Sequence, residues 1–178
     1  GKVGSWLDND RRIQLSINRY RLKNKNNYLS VRGDRAAGLL TTSVKGTPEG
    51  SAPHNDVWTV GTTYDNYDFA GMKLTALLYY QRYEALFGAT NSSSFQDPTI
   101  APIGTLYDQS RAYTDKYGSK IALTKDDIWE DKIKATLGFD TLFDSSKQDL
   151  WSTKRTYVPE IKYTGLSPFL QLEYAPIE

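Results

Sequence analysis

Few residues of this sequence could do chemistry on their own, and their spacing supports no reaction. The one histidine, His54, lies in a Pro/Gly/Ser-rich stretch. It has no partner with which to build a zinc site or a general-base pair, so it reads as an ordinary loop residue. With no cysteine, disulfides, thiolate metal sites and thiol catalysis are excluded. The carboxylates of Asp126, Asp127, Glu130 and Asp131 cluster, but their spacing fits no EF-hand loop and reads as a charged turn. Arg32-Gly33-Asp34 spells the tripeptide that integrins recognise, yet three residues are too few to carry an adhesion reading. No paired-carboxylate, Ser/His/Asp or phosphate-loop arrangement stands out. The chain reads as a non-enzyme.

The elements that would position any site are strands. Between Ile133 and Asp144 the odd positions (Ile133, Ala135, Leu137, Phe139, Thr141, Phe143) are mostly apolar, and the even ones are polar, small or charged except Leu142. A period of two over this length means a strand with one apolar and one wet face. Five more stretches predict strands: 11–23, 56–65, 70–87, 116–125 and 162–175. In the first, Ile13, Leu15 and Ile17 share a face and parity then shifts to Tyr20 and Leu22, which predicts a bulge near Asn18. Trp6-Leu7 reads as the end of a preceding strand. The segments have about the 9–11 residues that a tilted strand needs to cross a bilayer.

The connections alternate. Residues 65–71 and 126–131 read as tight turns, whereas 24–55, 88–115 and 145–161 read as long polar loops rich in Ser, Thr, Asn, Gly and Pro. That is the layout of an outer-membrane barrel, with short turns in the periplasm and long loops outside. Loops this long are unusual in a compact domain. Thirteen tyrosines against six phenylalanines suit surfaces with an apolar body and a wet rim. Trp129 and Tyr174 are placed at the short-turn ends, and Trp58, Tyr83, Phe87 and Tyr117 at the loop ends. A net charge of +1 gives no electrostatic footprint for nucleic acid, and no apolar run is long enough for a spanning helix. No signal peptide is visible at Gly1-Lys2-Val3-Gly4, so the sequence reads as a mature product or an excised piece.

Read in order, several stretches resemble the middle of the barrel of TonB-dependent ferric-siderophore receptors, those for aerobactin-type hydroxamate-citrate siderophores being nearest. They are Arg12-Ile13-Gln14-Leu15-Ser16-Ile17-Asn18-Arg19-Tyr20, Leu78-Tyr79-Tyr80-Gln81-Arg82-Tyr83-Glu84, Asp115-Lys116-Tyr117-Gly118-Ser119-Lys120, Thr136-Leu137-Gly138-Phe139-Asp140 and Leu166-Ser167-Pro168-Phe169-Leu170-Gln171-Leu172-Glu173-Tyr174. The likeness is collinear over most of the chain, and the order and loop alternation carry it rather than any single motif. It implies an all-β fold over 1–178: about six strands of a larger antiparallel up-and-down transmembrane β-barrel, with long extracellular loops and short periplasmic turns. No segment resembles the plug domain, the TonB box or the closing strands. By resemblance, the complete receptor binds a ferric siderophore outside the bacterial outer membrane and imports it with energy that TonB delivers to the plug. A slice without the plug is expected to be transport-incompetent and to self-associate through its sheet edges. Iron enters only within the siderophore, and no cofactor is expected. In this setting the acceptor sequence Asn91-Ser92-Ser93 is silent.

Lumen-facing polar groups such as Lys134, Thr136, Asp140 and Asp144 are expected to solvate the channel or touch the plug. Ferric hydroxamate-citrate chelates are anionic, so guanidinium and ammonium groups beside aromatic rings are their natural receptors. The resemblance thus points to Tyr28, Arg32, Arg35, Phe87, Arg111, Tyr113, Trp151, Lys154 and Arg155 as ligand-binding candidates, at strand tops and in outer loops. Two other readings stay open. A soluble carbohydrate-binding β-sandwich would stack its aromatics on sugar, and a passive porin would fold its loops inward.

Overall fold

In a computed structural model of the chain, the described residues are 1–24, 28–31, 38, 42–46, 50–88, 99, 108–130 and 132–175. They form an all-β structure of nine strands: β1 (Lys2–Trp6), β2 (Arg11–Lys23), β3 (Tyr28–Val31), β4 (Thr42–Lys45), β5 (His54–Asn66), β6 (Lys73–Leu86), β7 (Ser110–Ile128), β8 (Ile133–Leu150) and β9 (Thr156–Tyr174). Seven of them make one antiparallel sheet in the order β1-β2-β5-β6-β7-β8-β9, and β3 pairs with β4 in a separate hairpin. Every neighbour in the large sheet is also the next of its strands in sequence, which is up-and-down topology. The sheet is not closed: the outer edges of β1 and β9 have no ladder partner among the described residues.

Register assigns every side chain of this sheet to one of two faces, because paired residues point the same way. One face carries Val3; Ile13, Leu15 and Ile17; Val60 and Tyr64; Leu74, Ala76, Leu78 and Tyr80; Tyr117, Ile121 and Leu123; Leu137, Phe139 and Phe143; and Leu166, Pro168, Leu170 and Leu172. It is a continuous apolar band across seven strands. The other face carries Gln14 and Asn18, Thr59 and Thr63, Thr75 and Gln81, Lys116 and Lys120, Thr136 and Asp140, and Ser167 and Gln171. There the ion pairs Lys116–Asp144 and Lys120–Asp140, both at 3.3 Å, bridge β7 and β8.

Among the described residues, none lies on top of the apolar band. Among the described residues only Ala85, Leu86 and Leu150 are buried hydrophobics, whereas Leu78, Leu137, Leu166, Leu170 and Leu172 are all well exposed. Among the described residues substantial contacts run only between ladder neighbours, so none of their strands packs over this sheet as a sandwich requires.

Several expectations need correction. β2 pairs with β5 without interruption from Arg11↔Asn66 to Lys23↔His54, so there is no bulge near Asn18. Tyr20 and Leu22 simply point to the polar face, and Arg19 and Arg21 continue the apolar-face row. Arg19 is held there by Asp56, at 3.0 and 2.6 Å, and by stacking on Trp58 at 4.6 Å. Irregularities fall instead at Lys125/Ile128 and between Ser146 and Asp149. Residues 145–161 are not a long loop, because β8 runs on to Leu150 and β9 starts at Thr156. His54 opens β5 rather than sitting in a loop. Part of the 24–55 connection is the β3–β4 hairpin, and much of 88–115 lies outside the described residues.

The short-turn end holds turns at 7–10 and 67–72 and one where Lys132 N donates to Trp129 O at 3.2 Å. Its aromatics pair off: Trp129 stacks on Tyr174 with centroids 6.3 Å apart, and Trp6 lies 5.7 Å from Tyr67. Trp58, Tyr83 and Phe87 belong to the other end. Tyr117 is well inside β7, stacked 5.2 Å from Phe143 at the upper margin of the band.

Candidate functional site

At the loop end, beyond the apolar band, cations and aromatic rings converge. The row of side chains that is apolar in mid-sheet becomes charged there: β6 ends in Arg82 and Glu84, β7 begins with Arg111 and Tyr113, and β8 ends with Lys147 and Asp149. Register places Tyr113 between Glu84 and Lys147, and Arg111 opposite Asp149. The five-residue turn from Trp151 to Arg155 then folds over this row.

The anchor is Arg111. Its Nε and Nη2 donate to Glu84 Oε1 at 3.0 and 2.5 Å, which fixes the guanidinium plane. That plane lies between two rings, 4.7 Å from the Tyr113 centroid and 4.6 Å from Trp151. Lys154 sits over Trp151 at 4.5 Å, and Lys147 lies 5.4 Å from Tyr113. Guanidinium and ammonium groups over ring faces are attracted by the ring quadrupole, more so where water is partly excluded. Arg111, Tyr113, Lys147, Asp149, Leu150, Trp151 and Lys154 line a cavity of about 320 Å³.

Among the described residues, the cations lining the cavity are not all paired. Arg111 is paired with Glu84, and Lys147 reaches Asp149 at 3.1 Å. Lys154 has no carboxylate within ion-pair distance among the described residues. Its φ of +58° is a left-handed conformation that a lysine adopts only when the turn enforces it.

Asp108 enforces it. This carboxylate is fully buried and accepts from Ser152 N at 2.7 Å, Thr153 N at 3.1 Å, Thr153 Oγ1 at 2.7 Å and Gln109 N at 2.8 Å. Burial alone would push its pKa up. The donors from Ser152, Thr153 and Gln109 outweigh burial and hold it below the ordinary value. Trp151 N donates to Gln109 O at 2.7 Å, and Gln109 Nε2 in turn reaches Ser51 O and Phe87 O at 2.7 and 2.9 Å. A buried polar knot therefore ties the turn to β6 and to the start of β7.

Of the candidates read from the sequence, Arg111, Tyr113, Trp151 and Lys154 meet around this cavity. Phe87 and Arg155 lie at the same end without lining it; Arg155 Nε donates to Thr153 Oγ1 at 3.1 Å. Tyr28 has a place only as the first residue of β3, its side chain lying outside the described residues, as do Arg32 and Arg35. Lys147, Asp149, Leu150 and Glu84 were not singled out. The unbroken parity from Ile133 through Ser145 and Lys147 to Asp149 was the signal that could have found the β8 pair. Among the described residues no cluster of His, Asp or Glu could hold a metal ion.

No family model matches the chain, and no solved structure matches it.

Proposed function

We propose that the chain forms an arc of the wall of an outer-membrane β-barrel, its apolar band against hydrocarbon and its polar face lining the lumen. One observation carries this reading. An apolar band crosses all seven strands on one face only, and the described residues cover it with no protein. In water such a face would be unstable at roughly 25 cal/mol per Å² of exposed apolar surface. In lipid it is the required face, and a ladder that satisfies backbone groups between strands is one of the two ways to cross. That no helix among the described residues is long and apolar enough to span has no bearing on strands.

Within that reading the barrel is a TonB-dependent receptor that imports a ferric siderophore of the hydroxamate-citrate class. The support is the collinear resemblance of five stretches together with the long connections at one end of the sheet. This arc supplies wall and ligand contact; energy coupling through TonB belongs to a plug. The chelate is met by the lumen face and the outer loops.

The test is to refold the chain in detergent and titrate a ferric hydroxamate-citrate chelate against tryptophan fluorescence. Partition into detergent with saturable quenching, absent for the iron-free chelator, is the expected result. Full solubility in plain buffer without detergent binding would overturn the wall. Detergent partition with no quenching would leave a passive porin wall in place of a receptor.

A further inference from the structure

At mid-height on the polar face, two tyrosines lie along the wall over glycines. Tyr79 on β6 opposes Gly118 on β7, and a methyl group on that glycine would lie 2.8 Å from the tyrosine hydroxyl. The ring reaches this point only by running parallel to the sheet, across the next strand. On β9 Tyr163 leans over Gly165, where a methyl group would lie 3.1 Å from both its ring and its hydroxyl. Leu142 on β8 pairs with Gly118 on one side and Gly165 on the other, so it lies between the two ring ends. Strands are about 4.8 Å apart, which puts the glycines under those ends about 10 Å from each other. The result is a shallow bed with an apolar floor and a ring on each side.

Ion pairs bound the bed above and below. Lys116–Asp144 and Lys120–Asp140 flank the Gly118–Leu142 pair on the same face, each two residues or about 7 Å away along the strands. Among the described residues no cation or second ring covers Tyr79 or Tyr163, and neither hydroxyl has a hydrogen-bond partner. Phe169 differs, because Lys120 sits over its ring at 5.3 Å. This combination discriminates between ligands. An anion gains little, since each lysine is already matched by a carboxylate. A wholly apolar solute would leave the ion pairs and the two phenols without polar contact. A sugar ring meets both conditions: its C–H face packs on Leu142 and the tyrosine rings, and its hydroxyls donate to carboxylates and accept from ammonium groups. We propose that this bed binds a small neutral saccharide, with Tyr79 and Tyr163 packing on it and the two ion pairs bonding its hydroxyls. In the barrel reading, on which this step rests, the polar face lines the lumen, so the bed is a lumen subsite for a solute other than the anionic chelate.

The experiment uses the whole chain refolded in lauryldimethylamine oxide, a detergent without sugar. Maltotriose is titrated, and saturation-transfer NMR reads which of its protons touch the protein. The expected result is saturable transfer, strongest to the C–H protons of the ring faces and unchanged by added salt, because no net charge is involved. Loss of one ring face should weaken binding roughly fivefold in Tyr79→Ala or Tyr163→Ala, and roughly twenty-five-fold in the double variant. Phenylalanine at both positions should recover most of the loss. Leu166→Ala, at a well-exposed position on the opposite face, should bind like the parent chain. Sorbitol, an open-chain polyol without a ring face, should not saturate. Equal binding of sorbitol, or unchanged binding in the double alanine variant, would overturn the saccharide bed. Detergent partition without transfer to maltotriose sinks this proposal alone, whereas a chain that stays in plain buffer sinks the wall reading and this one with it.

Discussion

A single charge moved along β6 measures whether the apolar band faces lipid. On that face β6 presents Leu74, Ala76, Leu78 and Tyr80 in turn and ends in Arg82 and Glu84. Each step of two residues advances about 7 Å along the strand and about 5 Å in depth, so the four positions sample about 15 Å. An arginine on the lipid face of a barrel costs about 2–4 kcal/mol at the midplane and about 0–1 kcal/mol near the interface. Urea unfolding of Leu74→Arg, Ala76→Arg, Leu78→Arg and Tyr80→Arg in phosphatidylcholine vesicles should therefore trace a hump, highest at Ala76 and Leu78 and lowest at Tyr80. A sheet in water predicts another profile. Leu78 is already 63% exposed, so only about a third of its side chain is at stake, about 0.5–1 kcal/mol, and Ala76 risks less. Tyr80 would then be the costly site, because its hydroxyl bonds Asp115. A flat profile below about 1 kcal/mol, or one that peaks at Tyr80, refutes the lipid-facing band.

Three further outcomes are expected. A methyl group on Gly138 would meet the Phe169 ring and lie 2.8 Å from the Ile121 carbonyl oxygen; Gly138→Ala should cost about 1–3 kcal/mol by overpacking, measured by urea unfolding in detergent, with a Phe169→Leu background recovering only part. Asp108 has a folded-state pKa below its unfolded value, so its contribution is present above the ordinary carboxylate pKa of about 4 and is lost as pH falls through the lower folded value. Trp151 emission should shift in that acid window in the parent chain, whereas Asp108→Asn, short of an acceptor for Ser152 and Thr153, should be shifted already at neutral pH, losing about 1.5–3 kcal/mol of charged hydrogen bonding. The outer edges of β1 and β9 carry unpaired backbone groups among the described residues, so the chain should associate in detergent; sedimentation in density-matched micelles checks this, and a strictly monomeric species would count against it.

How much was legible depended on which force wrote the pattern. Where the two faces of a strand differ sharply in polarity, parity is marked, and Ile133 to Asp144 or Leu166 to Leu172 could be read directly. Beyond the band the ladder goes on, because backbone hydrogen bonds need no apolar side chains. Ser145, Lys147 and Asp149 keep the odd-residue face but change its chemistry, which makes a strand read as a loop. Arg19 and Arg21 misled in the same way and suggested a bulge where the register is continuous. The site was legible only locally: Arg111 and Tyr113 share a face two residues apart, and Trp151 and Lys154 share a turn. Lys147 beside Tyr113, and Glu84 beside Arg111, are products of register across strands. Asp108, which shapes the turn, has no periodic signal at all.

Glycine placement gives the two faces a meaning that hydropathy alone does not. The large sheet holds five glycines within its strands, Gly4, Gly61, Gly118, Gly138 and Gly165, and register puts every one on the polar face. One row across that face reads Gly61, Tyr79, Gly118, Leu142, Gly165, small and large in alternation. Tyr79 fills the space above its glycine neighbour so closely that a methyl group on Gly118 would lie 2.8 Å from its hydroxyl. Phe169 covers Gly138 in the same manner. Curling a sheet crowds side chains on the inner face and spreads them on the outer, so the inner face favours glycine between large residues, as barrel interiors do. A flat sheet in water has no reason to sort glycine by face. The sorting supports the proposed wall by a route independent of hydropathy: in a curled sheet the glycine-bearing face goes inside, and here that face is the polar one. A membrane barrel, as proposed above, asks for both at once.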